Sequence, residues 1–303
     1  MTLLELIESE AHKLTAANVS FGHGTTNAFD ESAWLVLSSL GLPLDTALEP
    51  KSQSGVEHSS TELSPDAVAR AKELVAKRIA SRKPTAYLTN QAWLQGYAFY
   101  ADERAIVPRS LIAELLVEGG IDFWLSESTH KVLDLCTGNG SLAVIAASVF
   151  PEVAVSAADL SVDALAVARI NVAKHALQNR ITLVQSDGMN APELAIRGPF
   201  DLLLCNPPYV NAQSMQALPP EYLAEPDMAL NGNCAGGADG MDFIRLLLRD
   251  APKHMTQDAV LILEIGNERA YFEAAFPSLE VVWLETSAGE DQVLLVTRES
   301  LTR

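Results

Sequence analysis

From residue 131 onward, short apolar runs alternate with longer stretches of helical periodicity, which predicts strands joined by crossover helices. The runs at 132–136, 153–158, 181–185, 202–205 and 259–264 read as strands, and the stretches at 141–149, 162–175, 242–249 and 269–276 as helices. Two further runs, 281–284 and 292–296, read as an antiparallel hairpin that closes a seven-stranded sheet. The N-terminal part has no such alternation. Leu3, Leu6, Ile7 and Leu14 recur at helical spacing over 3–20, and an apolar stretch at 34–40 follows the acidic pair Asp30 and Glu31. Ser64-Pro65-Asp66 then opens a long helix to about Arg82, with Ser as cap and Pro in the first turn. The expected fold is α/β, a Rossmann-like sheet preceded by a small helical domain.

Between these regions lies an aromatic-rich stretch from Pro84 to Val107, carrying Tyr87, Trp93, Tyr97, Phe99 and Tyr100 around Gly96. It reads as a hairpin or extended linker, after which Pro108-Arg109-Ser110 opens a helix to about Glu118. The domains are therefore expected at 1–85 and 109–303, with 86–108 between them. The polar stretch 51–60 reads as a loop. In Phe21-Gly22-His23-Gly24-Thr25 the glycines allow a tight turn, and His23 is open to being a ligand, a base or, as is commonest, a loop hydrogen-bonder. The stretch 211–240, rich in Pro and then Gly, is a long irregular segment of the kind that serves as a lid or partner surface.

Composition narrows the class. The 303 residues suffice for roughly two domains. No apolar run approaches the ~18 residues that span a bilayer, and the acidic start lacks a signal-peptide layout, so a cytoplasmic protein with no membrane role is expected. Cys136, Cys205 and Cys234 have no metal-like spacing and read as free thiols, with no metal site. The net charge of -18 argues against a direct nucleic-acid substrate and weakly favours a basic partner.

The candidate chemistry lies where the strands end. Asp134-Leu135-Cys136-Thr137-Gly138-Asn139-Gly140 is a strand followed by a glycine turn and a helix start, a place for a nucleotide-like cofactor. Asp159 ends the next strand about 20 residues on, where a carboxylate accepts from ribose hydroxyls. Asp187 follows the third strand, where it is able to accept from an adenine amino group. The fourth strand stops at Asn206-Pro207-Pro208-Tyr209. Here the Asn206 side-chain oxygen and the Pro207 carbonyl are fixed acceptors for a planar amino group, Tyr209 adds a flat apolar face, and the prolines stiffen the turn. By itself Gly138-Asn139-Gly140 with Ala143 also fits a nicotinamide-dinucleotide fingerprint. The series of polar strand ends, with an amide-gripping turn beside the cofactor strand, is what a hydride-transfer enzyme has no need of.

With these residues in view, the chain resembles the class I S-adenosylmethionine-dependent methyltransferases, and within them the HemK-like enzymes that methylate the side-chain amide of glutamine in proteins. The segment 134–140 is similar to that family's cofactor loop and 206–209 to its substrate motif. Stretches around 16–25, 42–45, 86–89, 99–110, Glu264-Ile265-Gly266-Asn267 and Trp283-Leu284-Glu285 resemble the PrmB branch, whose substrate is a glutamine of the large-subunit ribosomal protein numbered three. The resemblance implies S-adenosylmethionine as cofactor, held by Asp134, Cys136, Thr137, Gly138, Asn139, Gly140, Asp159, Asp187 and Asn206. It implies catalysis at Asn206, Pro207, Pro208 and Tyr209, and substrate choice in the N-terminal helical domain. A release factor as acceptor, an adenine amine methylase, a nicotinamide oxidoreductase and a non-catalytic scaffold are the rival readings. Asn139 stands where the family leads one to expect Ser, Leu111 where Pro is expected, and Asn233-Cys234-Ala235 reads as a small insertion.

Overall fold

The computed structural model describes residues 1–48 and 62–303, so the polar stretch 51–60 lies outside the described residues. These residues divide into two compact units, one formed by Met1–Gln91 with Pro219–Ala224, the other by Ala92–Leu218 with Glu225–Arg303.

In the first unit, α1 (Leu3–Ala16) begins with a reciprocal cap. The Thr2 hydroxyl accepts from Glu5 N, and the Glu5 carboxylate accepts from Thr2 N. The helix ends earlier than the leucine spacing suggested, and Asn18 turns the chain at φ +51°. Helix α2 (Ala28–Leu40) is capped by Asn27 and stopped by Gly41 in the left-handed region. Helix α3 (Pro65–Ser81) starts at the expected Ser64 cap, and the short α4 (Thr85–Thr89) follows it. Leu3, Leu6 and Ile7 pack on Val36, Leu37 and Ala71 to form the core of this unit. Beside that core, Arg78 and Glu31 form a buried ion pair at 2.6 Å, and Arg78 also lies 3.5 Å from Glu221 of the returning segment. His23 is buried with its ring 4.4 Å from that of Tyr222.

The second unit opens with an antiparallel ribbon, β1 (Ala92–Leu94) and β2 (Tyr97–Phe99). Its turn residues, Gln95 and Gly96, both have positive φ, the combination that matches strand twist in a two-residue hairpin. Helix α5 (Ile112–Val117) leads to β3 (Lys131–Leu135), α6 (Ser141–Val149), β4 (Ala154–Asp159), α7 (Val162–Lys174), β5 (Ile181–Gln185), α8 (Pro192–Arg197) and β6 (Phe200–Cys205). Then come α9 (Ala212–Ala217), α10 (Pro220–Leu223, within the first unit), α11 (Asp242–Asp250), β7 (Met255–Glu264), α12 (Arg269–Ala275), β8 (Val282–Thr286), β9 (Gly289–Thr297) and α13 (Arg298–Thr302).

Among the described residues these strands form a seven-stranded sheet in the order β5-β4-β3-β6-β7-β9-β8. The first five run parallel, and β9 is antiparallel to both β7 and β8. Alternation within the strands explains the continuous apolar runs. Val132, Leu202, Leu204 and Ile262 face a core built with α5 and α6, while Leu133, Leu203, Leu261 and Leu263 face one built with α11 and α12. A sheet buried on both faces has little use for polar residues along its strands. The chain builds outward from β3 through β4 to β5, then returns to place β6 on the other side of β3. That reversal opens a crevice at the carboxyl ends of β3 and β6, where open α/β sheets bind ligands.

Candidate active site

Leu135 and Cys205 are partners in the β3–β6 register, so the residues that follow them, Cys136 and Asn206, leave the sheet side by side at the crevice. Cys136 turns at φ +60°, and Gly138 and Gly140 also have positive φ, which makes the strand-to-helix connection tight. A buried carboxylate holds it from below. Asp134 accepts from the Thr137 hydroxyl and, at 3.0 Å, from Ala143 N at the start of α6. Burial pushes its pKa up to about 7, against the pull of those two donors. Asn139 is likewise turned inward, its Oδ1 accepting from Ser141 N at 2.9 Å and its Nδ2 donating to the Ile106 carbonyl at 2.7 Å. A Cβ added to Gly140 would come within 3.0 Å of Ala168, so this glycine lets the loop lie directly on α7.

A cavity of about 450 Å³ opens above these strand ends, within the range usual for small-molecule sites. Of the candidate site residues, Cys136, Gly138, Asp159, Asp187, Asn206 and Pro208 line it, as does Cys234 of the stretch read as an insertion. Asp134, Thr137, Asn139 and Gly140 do not reach the cavity and instead shape the loop that does. Asp159 Oδ2 accepts from Gly138 N at 2.8 Å and Oδ1 from Ser161 N at 2.8 Å. A carboxylate has about four acceptor sites, so it keeps capacity for a ligand hydroxyl. Burial raises the Asp159 pKa, and the backbone N–H groups of Ser161, Gly138 and Leu160 oppose that rise. The thiol of Cys136 has its pKa raised well above the ordinary value by the neighbouring Cys205 thiol and by desolvation. All three cysteines are free.

Pro207 and Tyr209 are not among the lining residues. The Tyr209 ring covers Gly266, where an added Cβ would stand 2.7 Å from its Cε2, and the ring packs against the α11/α12 core. The residue after the turn is tied to the late loop from both sides. Val210 N donates to the Leu230 carbonyl at 2.9 Å, while Gly232 N and Asn233 Nδ2 both donate to the Val210 carbonyl at 3.1 Å. Asn233 Oδ1 accepts from Gly240 N, and Asp242 Oδ2 accepts from the Ala235 and Gly237 amides. The segment read as an insertion, Asn233-Cys234-Ala235, is thus knitted into the support of the Asn206–Tyr209 turn.

The sequence reading missed the facing walls of the cavity. These come from Arg104, Ala105 and Ile106 after the ribbon, Leu160 after β4, the stretch 226–229, Asn231, and Phe243 and Leu246 on α11. The sequence carried no signal for these walls, since even Glu225, beside Pro226, meets the half-buried Arg109 only across 116 positions of chain. Gly138 leaves open space at the loop, its added Cβ meeting nothing closer than 4.0 Å, and the half-buried Asp159 presents acceptor capacity beside it. A nucleoside with a charged amino-acid tail, such as S-adenosylmethionine, suits that combination.

Comparison with known proteins gives the same direction. Residues 114–231 match the family described as the methyltransferase small domain. The chain is 49% identical over 302 residues to a ribosomal protein uL3 glutamine methyltransferase of Bordetella pertussis, covering 99% of this chain and 96% of that protein. Against the enzyme of the same description from Burkholderia pseudomallei it is 46% identical, covering 99% and 95%. With that of Neisseria meningitidis serogroup B it is 42% identical, covering 99% and 94%. Among solved structures, the hMettl16 catalytic domain in complex with the MAT2A 3'UTR hairpin 6 superposes with a TM-score of 0.50 at 12% identity, covering 78% of this chain and 82% of that one, a likeness of fold alone.

Proposed function

The chain belongs to the family of ribosomal protein uL3 glutamine methyltransferases, and from that premise we propose that it transfers a methyl group to the side-chain amide nitrogen of a glutamine in ribosomal protein uL3. The observation that carries this reading is the juxtaposition of Asn206 with the cofactor loop at the β3–β6 crevice. S-adenosylmethionine is the cofactor and supplies, when bound, a methyl group made electrophilic by its sulfonium. Gly138, Asp159 and Asp187 hold its nucleoside end in this proposal, Asp159 through ribose hydroxyls.

The chain's own task is orientation. An amide nitrogen is a poor nucleophile, because its lone pair is delocalised into the carbonyl. Asn206 Oδ1 and the Pro207 carbonyl accept the two N–H bonds of the substrate amide, which turns its nitrogen into the cavity. Pro208 narrows the entrance and Tyr209, braced on Gly266, gives the turn its shape. Alignment of this kind is worth about 7–11 kcal/mol in favourable cases, enough to do without a strong base, and the surplus N–H proton leaves to water after transfer, when N-methylation has made it acidic. An acceptor lacking the amino group would leave these oxygens unpaired at about 1–3 kcal/mol, so glutamate is discriminated against. The N-terminal helical unit is assigned to substrate choice, and a cytoplasmic location goes with a ribosomal-protein substrate.

The test is transfer of labelled methyl from S-adenosylmethionine to purified uL3 and to a release factor, with Asn206→Ala as control. Label on uL3, lost in the variant, is the expected result. Label on the release factor alone would keep the chemistry and overturn the substrate.

A further inference from the structure

Immediately after the substrate turn stands Asn211, whose side chain is buried and fully engaged. Its Oδ1 accepts from Gln213 N at 2.8 Å and Ser214 N at 2.9 Å, capping α9. Its Nδ2 donates to both carboxylate oxygens of Glu268, each at 2.8 Å, and to Ser214 Oγ at 2.9 Å. The backbone N–H of Asn211 also points at Glu268 Oε1, at 3.4 Å. Glu268 is itself buried, and neither residue lines the cavity.

Glu268 follows the end of β7, two residues after the Gly266 that seats the Tyr209 ring. The same short stretch therefore grips the chain at Tyr209 and again at Asn211. Between Asn206 and Tyr209 stand two prolines whose φ angles are locked near -65°, so little slack separates the gripped residues from Asn206. A displacement at Asn211 is passed to the Asn206 side chain. We propose that Glu268 is a positioning residue for amide methylation, acting through Asn211 to fix the orientation of the Asn206-Pro207-Pro208-Tyr209 turn.

This rests on the function proposed above, and its test separates the two. In Glu268→Ala, kcat for uL3 methylation is expected to fall by about tenfold to a hundredfold, the scale of a misplacement near 1 Å, while the dissociation constant for S-adenosylmethionine stays within about twofold. Hydrogen exchange at the amides of 209–217 rises in the same variant. Asn211→Asp sets two carboxylates against each other and is expected to lose as much. The pair Asn211→Asp with Glu268→Gln restores a donor facing an acceptor and leaves Asp to cap α9, so it recovers at least tenfold over Asn211→Asp alone. Parent-like kcat and unchanged exchange in Glu268→Ala would overturn the proposal, as would an equal loss of cofactor affinity and turnover without recovery in the pair. If the parent protein transfers no methyl to uL3, the proposed function fails, and the exchange measurement still decides the clamp.

Discussion

Arg109 and Glu225, 116 positions apart in the chain, meet as a two-pronged ion pair with Nη1 on Oε1 at 2.6 Å and Nη2 on Oε2 at 2.8 Å. Glu225 Oε1 also accepts from Val107 N at 2.9 Å. The residues on either side of these anchors, Ile106 and Pro226, both line the cavity. One buried carboxylate thus fixes two walls that have no strand between them.

Removal of that carboxylate is expected to open the cavity before it unfolds the protein. Glu225→Ala strands the Val107 amide and removes the carboxylate that pairs with the half-buried Arg109; breaking a fully buried pair costs about 3–5 kcal/mol, so a loss somewhat below that is expected. The dissociation constant for S-adenosylmethionine should rise at least about tenfold, measured by calorimetry below the melting temperature. Glu225→Gln keeps one acceptor and is expected to fall between.

The two glycines of the β3–α6 loop, proposed to hold the cofactor, should separate by kind of damage. At Gly140, φ is +81° and a Cβ would stand 3.0 Å from that of Ala168, so Gly140→Ala adds a packing clash to a left-handed penalty of about 1–2 kcal/mol. Thermal unfolding should register it first. At Gly138 the nearest atoms to a Cβ lie 4.0 Å away, one of them on the cavity-lining Ile106. Gly138, at φ +55°, carries the same left-handed penalty without the clash, so Gly138→Ala should lower the melting temperature less than Gly140→Ala and weaken cofactor binding more.

These positions also show what was legible in the sequence. Strands buried on both faces leave unbroken apolar runs, so β3 to β6 could be bounded to within two residues, and the polar residue at each end stood out. Strand β7 was read too short, because the register shift between Phe200 and Leu202 frees Thr256, Gln257 and Asp258 from the pairing and allows them to be polar. The turns α9 and α10 hold six and four residues, too few to show a helical period. The loop around Asn139 was legible as a motif but its division of labour was not, since nothing in the order of residues says which side chains turn inward. Walls such as Phe243 and Leu246 reach the cavity only through long-range folding, and Glu225 finds Arg109 only in three dimensions.

Asp134 is expected to make the protein more stable in mild acid than in alkali. Its folded pKa of about 7 lies above the ordinary carboxylate value, so between those two values the folded state binds a proton that the unfolded chain has released. The contribution is fully present below the unfolded pKa and is lost as pH rises through about 7. Asp134→Asn keeps an acceptor toward Thr137 and Ala143 and cannot ionise. The stability difference between parent and variant, from urea titrations at successive pH values, should shift in favour of the variant from about pH 4 to 7 and level off above that.

In the N-terminal unit the sharpest test concerns Arg78, which is 1% exposed. Its Nε donates to Glu31 Oε1 at 2.6 Å, its Nη2 to the Ser20 carbonyl at 3.1 Å, and its Nη1 lies 3.5 Å from Glu221 Oε1. Thr25 and Thr85 donate to the same Glu31 carboxylate, while Arg82 Nη1 donates to Glu221 Oε1 at 3.1 Å, so Glu221 has a second cation and Glu31 has neutral donors beside Arg78. Substitution by Met keeps the volume and removes the charge, which takes the guanidinium from the buried Glu31 carboxylate, whereas Glu221 keeps Arg82. The expected cost is about 3–5 kcal/mol, the range for breaking a buried pair by deleting one partner. Arg78→Lys keeps the charge but loses the planar fork, and should cost less. If packing of the stem were the main contribution, Arg78→Met would be nearly neutral and Arg78→Lys the worse variant. Hydrogen exchange in α1 to α3, with urea unfolding of the whole chain, distinguishes the two orders.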